Sequence, residues 1–329
     1  MRILLWSDHT YPAGGRIGTG WRANSLATGG AAIVHDQLAK GLAELNHDVF
    51  YRLRGAQDEL PSGVRRMNGS VDVDIVHHGN SRWVQDADFL RLVKTSGAPW
   101  VATCHADPAR WGIDAGGPPD NWIFVSRTIA ESYGKSRYVL NGIDPADYLY
   151  SETKHDYFAF MCNFRNAGEK GLDIALSLSR SMGFKLVVAG PCVGRDYTTE
   201  AVERECASDG AAYIGDVRGR RKAEFLAGAR ALLFPTRVNE AFGLVIAEGL
   251  MSGTPVISSD RGACSEIVTP DVGFVCRTMD EYARAVENVG SISPVSCRRK
   301  ALAEYHYLAM ARKYADEYEA ELRGGGCDG

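Results

Sequence analysis

The chain has no cysteine pair at metal or redox spacing, no excess of positive charge, and at its start no apolar run longer than a few residues. Each absence removes a class of protein. The eight cysteines (104, 162, 192, 206, 264, 276, 297 and 327) are scattered over 329 residues without a C-x-x-C. Neither a disulfide framework nor zinc is indicated, and reduced thiols in a reducing compartment, the cytoplasm, are expected. Lys and Arg number 37 against 41 Asp and Glu, a formal charge of −4, so no global basic excess pulls the chain toward nucleic acid or an acidic membrane. The opening Ile3-Leu4-Leu5-Trp6 is too short for a signal peptide or a membrane span and reads as a first strand. A dinucleotide fingerprint is also missing: Gly18-Thr19-Gly20 runs into Trp21-Arg22-Ala23 instead of opening a helix, which argues against a Rossmann oxidoreductase. No D-x-D segment is followed by a metal-binding constellation, and the His and Cys spacings make no ligand set. No metal and no bound cofactor are expected.

What is present alternates. Single cores stop growing near ~250 residues, so the length predicts two domains. Short β-rich runs fall at Ile3–Trp6, Val49–Tyr51, Asp74–Val76, Trp100–Thr103 and Ile123–Val125, then again at Tyr157–Met161, Lys185–Ala189, Ala212–Ile214, Ala231–Phe234, Val256–Ser258 and Phe274–Val275. Between the first two, Ala31 to Leu45 carries Val34, Leu38, Leu42 and Leu45 on one helical face. Strand–helix alternation of this kind implies α/β architecture with doubly wound parallel sheets. A last helix is predicted over about Arg299–Leu322, with Gly324 to Gly329 as a frayed tail. The Gly-, Pro- and Arg-rich run from Asp8 to Gly29 is too long for an ordinary connection and reads as a flap over a cleft or as a disordered insertion.

The chemistry concentrates between Pro235 and Ser258. Here Glu240 and Glu248 stand with seven residues between them, across a loop that opens a helix. Gly253-Thr254-Pro255 stops that helix before the next strand. The loop sits at the carboxyl edge of a parallel sheet, and the amides of Phe242, Gly243 and Leu244 form a helix N-terminus suited to a phosphate. Counted at helical rise, the two carboxylates are roughly 12 Å apart, about the reach of a nucleotide sugar from ribose to hexose. Each can accept from a diol. Taken alone, two glutamates are more often solvated helix-end acids.

That segment, with its S-G-T-P-V ending, resembles the donor-site signature of retaining family-4 glycosyltransferases (glycosyl transferases group 1). Three further segments resemble the family in order: Thr28-Gly29-Gly30-Ala31 as its G-G loop, Val139-Leu140-Asn141-Gly142-Ile143-Asp144 between its domains, and Phe164-Arg165-Asn166-Ala167-Gly168-Glu169-Lys170-Gly171 as its G-R-L-x-x-E-K-G segment. Phe164 stands where the family has glycine, and Ala241 replaces a frequent glycine while keeping the amide.

The resemblance implies the GT-B fold, two Rossmann-like doubly wound parallel-sheet domains facing a cleft. It gives an N-terminal acceptor domain over 1–146, a C-terminal nucleotide-sugar domain over 147–300, and residues 301–329 crossing back. It implies transfer of a sugar from a nucleoside-diphosphate sugar, UDP favoured and GDP next, to an acceptor hydroxyl with retention at the anomeric carbon. Arg165 and Lys170 then hold the pyrophosphate in place of a metal. Glu240 orients the sugar, Glu248 holds the ribose diol, and Gly29 and Gly30 admit the phosphate. Thr103-Cys104-His105 resembles a strand-end T-x-H whose histidine lies near the reacting centre. His77 and His78, also at a strand end, are candidates for the acceptor cleft, while His35 and His306 read as packing or surface residues. Closure about 141–148 is expected to assemble the set. The acceptor stays open among a small molecule, a glycan, a lipid and a modified nucleic-acid base. Two rival readings are a nucleotide-sugar 2-epimerase of the same fold and a non-catalytic donor-binding subunit.

Overall fold

Short apolar runs bounded by polar turns form the centres of two parallel sheets. The computed structural model describes residues 1–10, 30–54, 60–69, 72–113, 117–192 and 198–324. The chain divides into one unit of Met1–Asp144 with Glu304–Gly329 and a second of Pro145–Ala303. The sequence reading places these divisions at 146/147 and 300/301.

The first unit contains β1 (Arg2–Thr10), β2 (Asp48–Arg54), β3 (Val64–Arg66), β4 (Ile75–His78), β5 (Trp100–Cys104) and β6 (Trp122–Phe124), in the order β3-β2-β1-β4-β5-β6. All five pairings are parallel. Ile3, Leu4, Leu5, Ile75 and Val76 are fully buried, as strands covered on both faces require. The edge strand β3 carries one apolar residue and no strand pattern, so periodicity does not reveal it. Arg65 serves the edge by pairing with Asp48 at 2.8 Å and lying over the Phe50 ring. Helix α1 (Gly30–Glu44) buries Val34, Leu38 and Leu42, whereas Leu45 falls beyond the helix end and is half-buried. Helices α2 (Ala87–Ser96) and α3 (Arg127–Ser132) start at side-chain caps, Asp86 and Ser126. The proposed flap over Asp8 to Gly29 lies largely outside the described residues, although β1 runs on to Thr10.

The second unit repeats the plan with β7 (Phe158–Met161), β8 (Leu186–Ala189), β9 (Ala212–Tyr213), β10 (Ala231–Phe234), β11 (Val256–Ser259) and β12 (Gly273–Cys276), in the order β12-β11-β10-β7-β8-β9. Its helices are α4 (Ala167–Lys170), α5 (Leu172–Met182), α6 (Thr199–Ser208), α7 (Gly219–Gly228), α8 (Leu244–Met251), α9 (Cys264–Ile267), α10 (Met279–Asn288) and α11 (Pro294–Glu304). Phe158, Phe160, Phe164, Leu176, Leu186 and Leu233 pack in one cluster, each burial contributing roughly 1.5–3 kcal/mol.

The single helix predicted over 299–322 is two: α11, then α12 (Tyr307–Gly324). Ile143 causes the break. Its N–H donates to the Tyr305 carbonyl at 2.8 Å and its carbonyl accepts from Tyr307 N–H at 3.1 Å, so groups that would continue a helix serve a β-bridge at His306. Gly142 permits this approach, since a Cβ there would lie 2.7 Å from the Tyr307 Cα. Helix α12 then packs on α1, with Tyr307 donating to Glu44 at 2.7 Å. Among the described residues no helix is long and apolar enough to cross a membrane. The seven described cysteines are free thiols, and burial pushes Cys104 up to about 11 and Cys162, Cys264 and Cys297 up to about 12.

Candidate functional site

In a doubly wound sheet, the loops at the carboxyl edge diverge where strand order reverses, and a crevice opens there. In the second unit this reversal falls between β7 and β10. The chain leaving β7 carries Arg165 and Lys170, and the chain leaving β10 carries Glu240. Lys170, the last residue of α4, is ion-paired with Glu240, and their side chains are 20% and 15% exposed. The Lys170 ammonium also lies 5.4 Å from the Phe234 ring centroid.

The two loops are locked together through backbone. Gly171 has φ +77°, and a Cβ on it would lie 2.1 Å from the Pro235 carbonyl oxygen. Arg237 clamps the same junction: its amide donates to the Glu169 carbonyl at 2.8 Å, and its guanidinium grips Asp173 with two bonds of 2.6 Å. That grip holds the Asp173 carboxyl below its ordinary value. On the other side, Gly262 at φ +57° abuts Glu240, where a Cβ would lie 2.3 Å from the Glu240 carbonyl oxygen. The Ala263 amide donates to that oxygen at 2.8 Å. Glu240 is therefore fixed by its backbone before its side chain makes any contact.

Helix α8 begins after Gly243 at φ +80° with no side-chain cap; the Ile246 amide donates to the Gly243 carbonyl at 2.8 Å, and the start of the helix is its positive end. Ala241 and Phe242 are buried, and Leu244 is half-buried. Glu248, 2% exposed, is the least expected feature. Its Oε1 accepts from the Tyr148 hydroxyl at 2.9 Å and from Lys222 Nζ at 2.5 Å. Sequence reasoning missed both partners. A signal for Lys222 existed in the basic run Arg218-Gly219-Arg220-Arg221-Lys222 opening α7; Tyr148 had none beyond its place near the interdomain segment. Arg165 is exposed in the turn Phe164–Asn166, whose start Asn163 caps by accepting from the Arg165 amide at 3.0 Å.

In the first unit, Gly29 lies outside the described residues and Gly30 opens α1 at the surface. His105 follows β5 and is half-buried. The acceptor-cleft expectation for His77 and His78 is corrected: both are fully buried. His77 Nδ1 is 2.6 Å from the Tyr318 hydroxyl and Nε2 is 2.7 Å from Thr103 Oγ1, which in turn meets the Tyr314 hydroxyl at 2.7 Å. Strand β4 is central, and α12 brings its tyrosines onto this strand end. Desolvation, reinforced by the charges of His78 and His105, holds the His77 pKa well below its ordinary 6.5. His78 Nδ1 accepts from the Asn80 amide at 3.1 Å. His35 is buried with its ring edge-on to His77, and His306 is half-buried and stacked on Tyr307.

A family match covers this site. Residues 156–291 match the family of glycosyl transferases group 1. Over 142 residues the chain is 30% identical to the D-inositol 3-phosphate glycosyltransferase of Xylanimonas cellulosilytica. That stretch is 42% of this chain and 34% of the relative, so the chain spans about a third of the curated relative it matches. Three solved structures are similar along nearly the whole chain. AviGT4, a glycosyltransferase involved in avilamycin A biosynthesis, shares 23% identity with a TM-score of 0.76, covering 98% of this chain and 99% of that one. Sucrose-phosphate synthase from Thermosynechococcus elongatus shares 15% with a TM-score of 0.75, covering 98% and 100%. HepE of Anabaena in complex with UDP-glucose shares 13% with a TM-score of 0.72, covering 97% and 100%.

The fold is that of the GT-B glycosyltransferases, two six-stranded parallel sheets each flanked by helices. Within it, the segment that carries Arg165, Lys170, Glu240 and Glu248 is the one that matches the glycosyl transferases group 1 family.

Proposed function

We propose that the protein is a retaining glycosyltransferase of the cytoplasm, moving a sugar from a nucleoside-diphosphate sugar to an acceptor hydroxyl without an obligatory metal. The observation that carries this reading is the Lys170–Glu240 pair held at the strand-order reversal of a glycosyl transferases group 1 domain. A uridine nucleotide is favoured over guanosine because HepE, a structural neighbour, binds UDP and UDP-glucose. In this reading Lys170 and Arg165 face the pyrophosphate, Glu240 accepts from sugar hydroxyls, and Glu248 accepts from the ribose diol. As the bond from the anomeric carbon to the β-phosphate oxygen breaks, negative charge grows on that oxygen, and fixed cations stabilise it. The acceptor oxygen bonds to the anomeric carbon on the face the phosphate leaves, and its proton passes to the departing phosphate. The products are a glycoside and a nucleoside diphosphate. His105, in the first unit, is the residue the family resemblance assigns to the reacting sugar.

The test is incubation of the protein with UDP- and GDP-sugars in the presence of a chelator, with chromatography for nucleoside diphosphate and NMR for the anomer formed. Release of one diphosphate, with the sugar passed to water or an added alcohol in its original anomeric configuration, is expected. Recovery of an epimerised sugar nucleotide would identify an isomerase instead. Intact donor with every alcohol would mean that the site binds without turning over.

A further inference from the structure

The Glu248 carboxylate is set by two residues that the functional reading does not use. Glu248 is in the second turn of α8, its side chain 3% exposed, and Lys222 comes from the first turn of α7 with its side chain 20% exposed. Tyr148, 9% exposed, follows the turn Pro145–Asp147 and closes the group from a third element. The Lys222 ammonium is 5.8 Å from the Tyr148 ring centroid. Both hydrogen bonds to the carboxylate end on the same oxygen, Oε1. This arrangement fixes the rotamer and supplies the countercharge a buried carboxylate requires, and it leaves Oε2 as the oxygen that neither donor engages.

We infer that Lys222 is a positioning residue for ribose recognition, holding the Glu248 carboxylate oriented so that Oε2 meets the ligand's vicinal diol, with the Tyr148 hydroxyl as its accessory. The inference rests on the proposed donor-site role of Glu248 and adds what makes that carboxylate competent. A rotated Glu248 would lose its acceptor geometry toward the diol while leaving the base and pyrophosphate contacts intact. The signature is therefore loss of discrimination between ribose and deoxyribose, which a general structural defect would not produce.

The experiment measures binding of UDP and of 2′,3′-dideoxy-UDP by calorimetry to the wild-type protein and to Lys222→Met, Lys222→Arg and Tyr148→Phe, with a thermal melt of each. If GDP is the tighter ligand, the guanosine pair is used instead. Hydrogen bonds to a charged group predict a wild-type preference for the ribonucleotide of about 10- to 100-fold. Lys222→Met is expected to weaken UDP toward the dideoxy value with dideoxy-UDP unchanged, Lys222→Arg to recover most of the preference, and Tyr148→Phe to lose part of it. Tyr148→Phe removes one hydroxyl and keeps the test readable if Lys222→Met does not fold. Retention of the full preference in Lys222→Met, or in Tyr148→Phe when that variant alone folds, overturns the inference. So does parallel weakening of both ligands. A wild-type protein that binds both nucleotides equally overturns it at a different point, because the ribose contact of Glu248 itself is then wrong.

Discussion

Lys170 and Glu240, 70 residues apart in sequence, form an ion pair between the loops that leave β7 and β10. Each is flanked by a glycine that lets backbone meet backbone: Gly171 against Pro235, and Gly262 against Glu240. The pair is thus held by main-chain geometry, and a ligand entering the site meets a cation and a carboxylate already placed.

Replacing Lys170 removes the fixed cation nearest Glu240. Lys170→Met is expected to lower turnover of the donor by about 10²- to 10³-fold, the effect of losing one preorganised charge-stabilising group. The check is the rate of nucleoside diphosphate release at saturating donor. Wild-type turnover would remove Lys170 from the reaction.

Gly262→Ala tests the backbone seat of Glu240. At φ +57° and with a Cβ 2.3 Å from the Glu240 carbonyl oxygen, alanine must displace the loop, costing about 2–4 kcal/mol through strain and clash. Gly97→Ala is the control. That residue has φ +63° but nothing within 4 Å of a Cβ, so only the positive-φ cost of about 1 kcal/mol applies. Denaturant midpoints should separate the two, and turnover should fall in Gly262→Ala alone.

His77 predicts an acid sensitivity. Its native pKa lies well below 6.5 because of burial, so the folded protein keeps the ring neutral while the unfolded chain protonates near the ordinary value. Its stabilising contribution is complete above that value. It is lost progressively as pH drops below 6.5 toward the native pKa, because the unfolded chain then binds the proton that the folded one excludes. His47 and His306, also lowered mainly by burial, act in the same direction. His77→Gln should therefore flatten the dependence of Tm on pH between 6.5 and 5 without abolishing it. An unchanged slope would contradict the assignment.

His105 belongs to the first unit, and Arg165, Lys170, Glu240 and Glu248 belong to the second. His105→Ala is expected to keep UDP affinity within about twofold and to lower turnover by about 10²-fold if the residue meets the reacting sugar. Equal loss of binding and turnover would show a different role.

The sheets were legible in sequence because parallel central strands are continuous apolar runs, as at Leu232-Leu233 and Val256-Ile257, and glycines mark the ends of helices. The edge strand Val64–Arg66 was not legible, since an edge owes its pairing to a neighbour and not to its own pattern. The break between α11 and α12 was hidden for a related reason: Ile143 competes for its hydrogen bonds from more than 160 residues away. At the site, Glu240, Glu248 and Lys170 were singled out through spacing and motif. Lys222 and Tyr148 were missed because their contacts exist only through a carboxylate that folding brings to them. The burial of His77 was not legible at a strand end, because it depends on the tyrosines of α12.

Metal-free calorimetric titration of UDP into the wild-type protein and into Glu248→Ala tests the donor site most directly. Binding by the wild type that is lost or weakened at least 10-fold in Glu248→Ala is predicted, consistent with loss of charged hydrogen bonds to the ribose. Undiminished binding in the variant, or no binding of UDP or any other nucleoside diphosphate to the wild type, would contradict the account and leave a GT-B fold without this donor site.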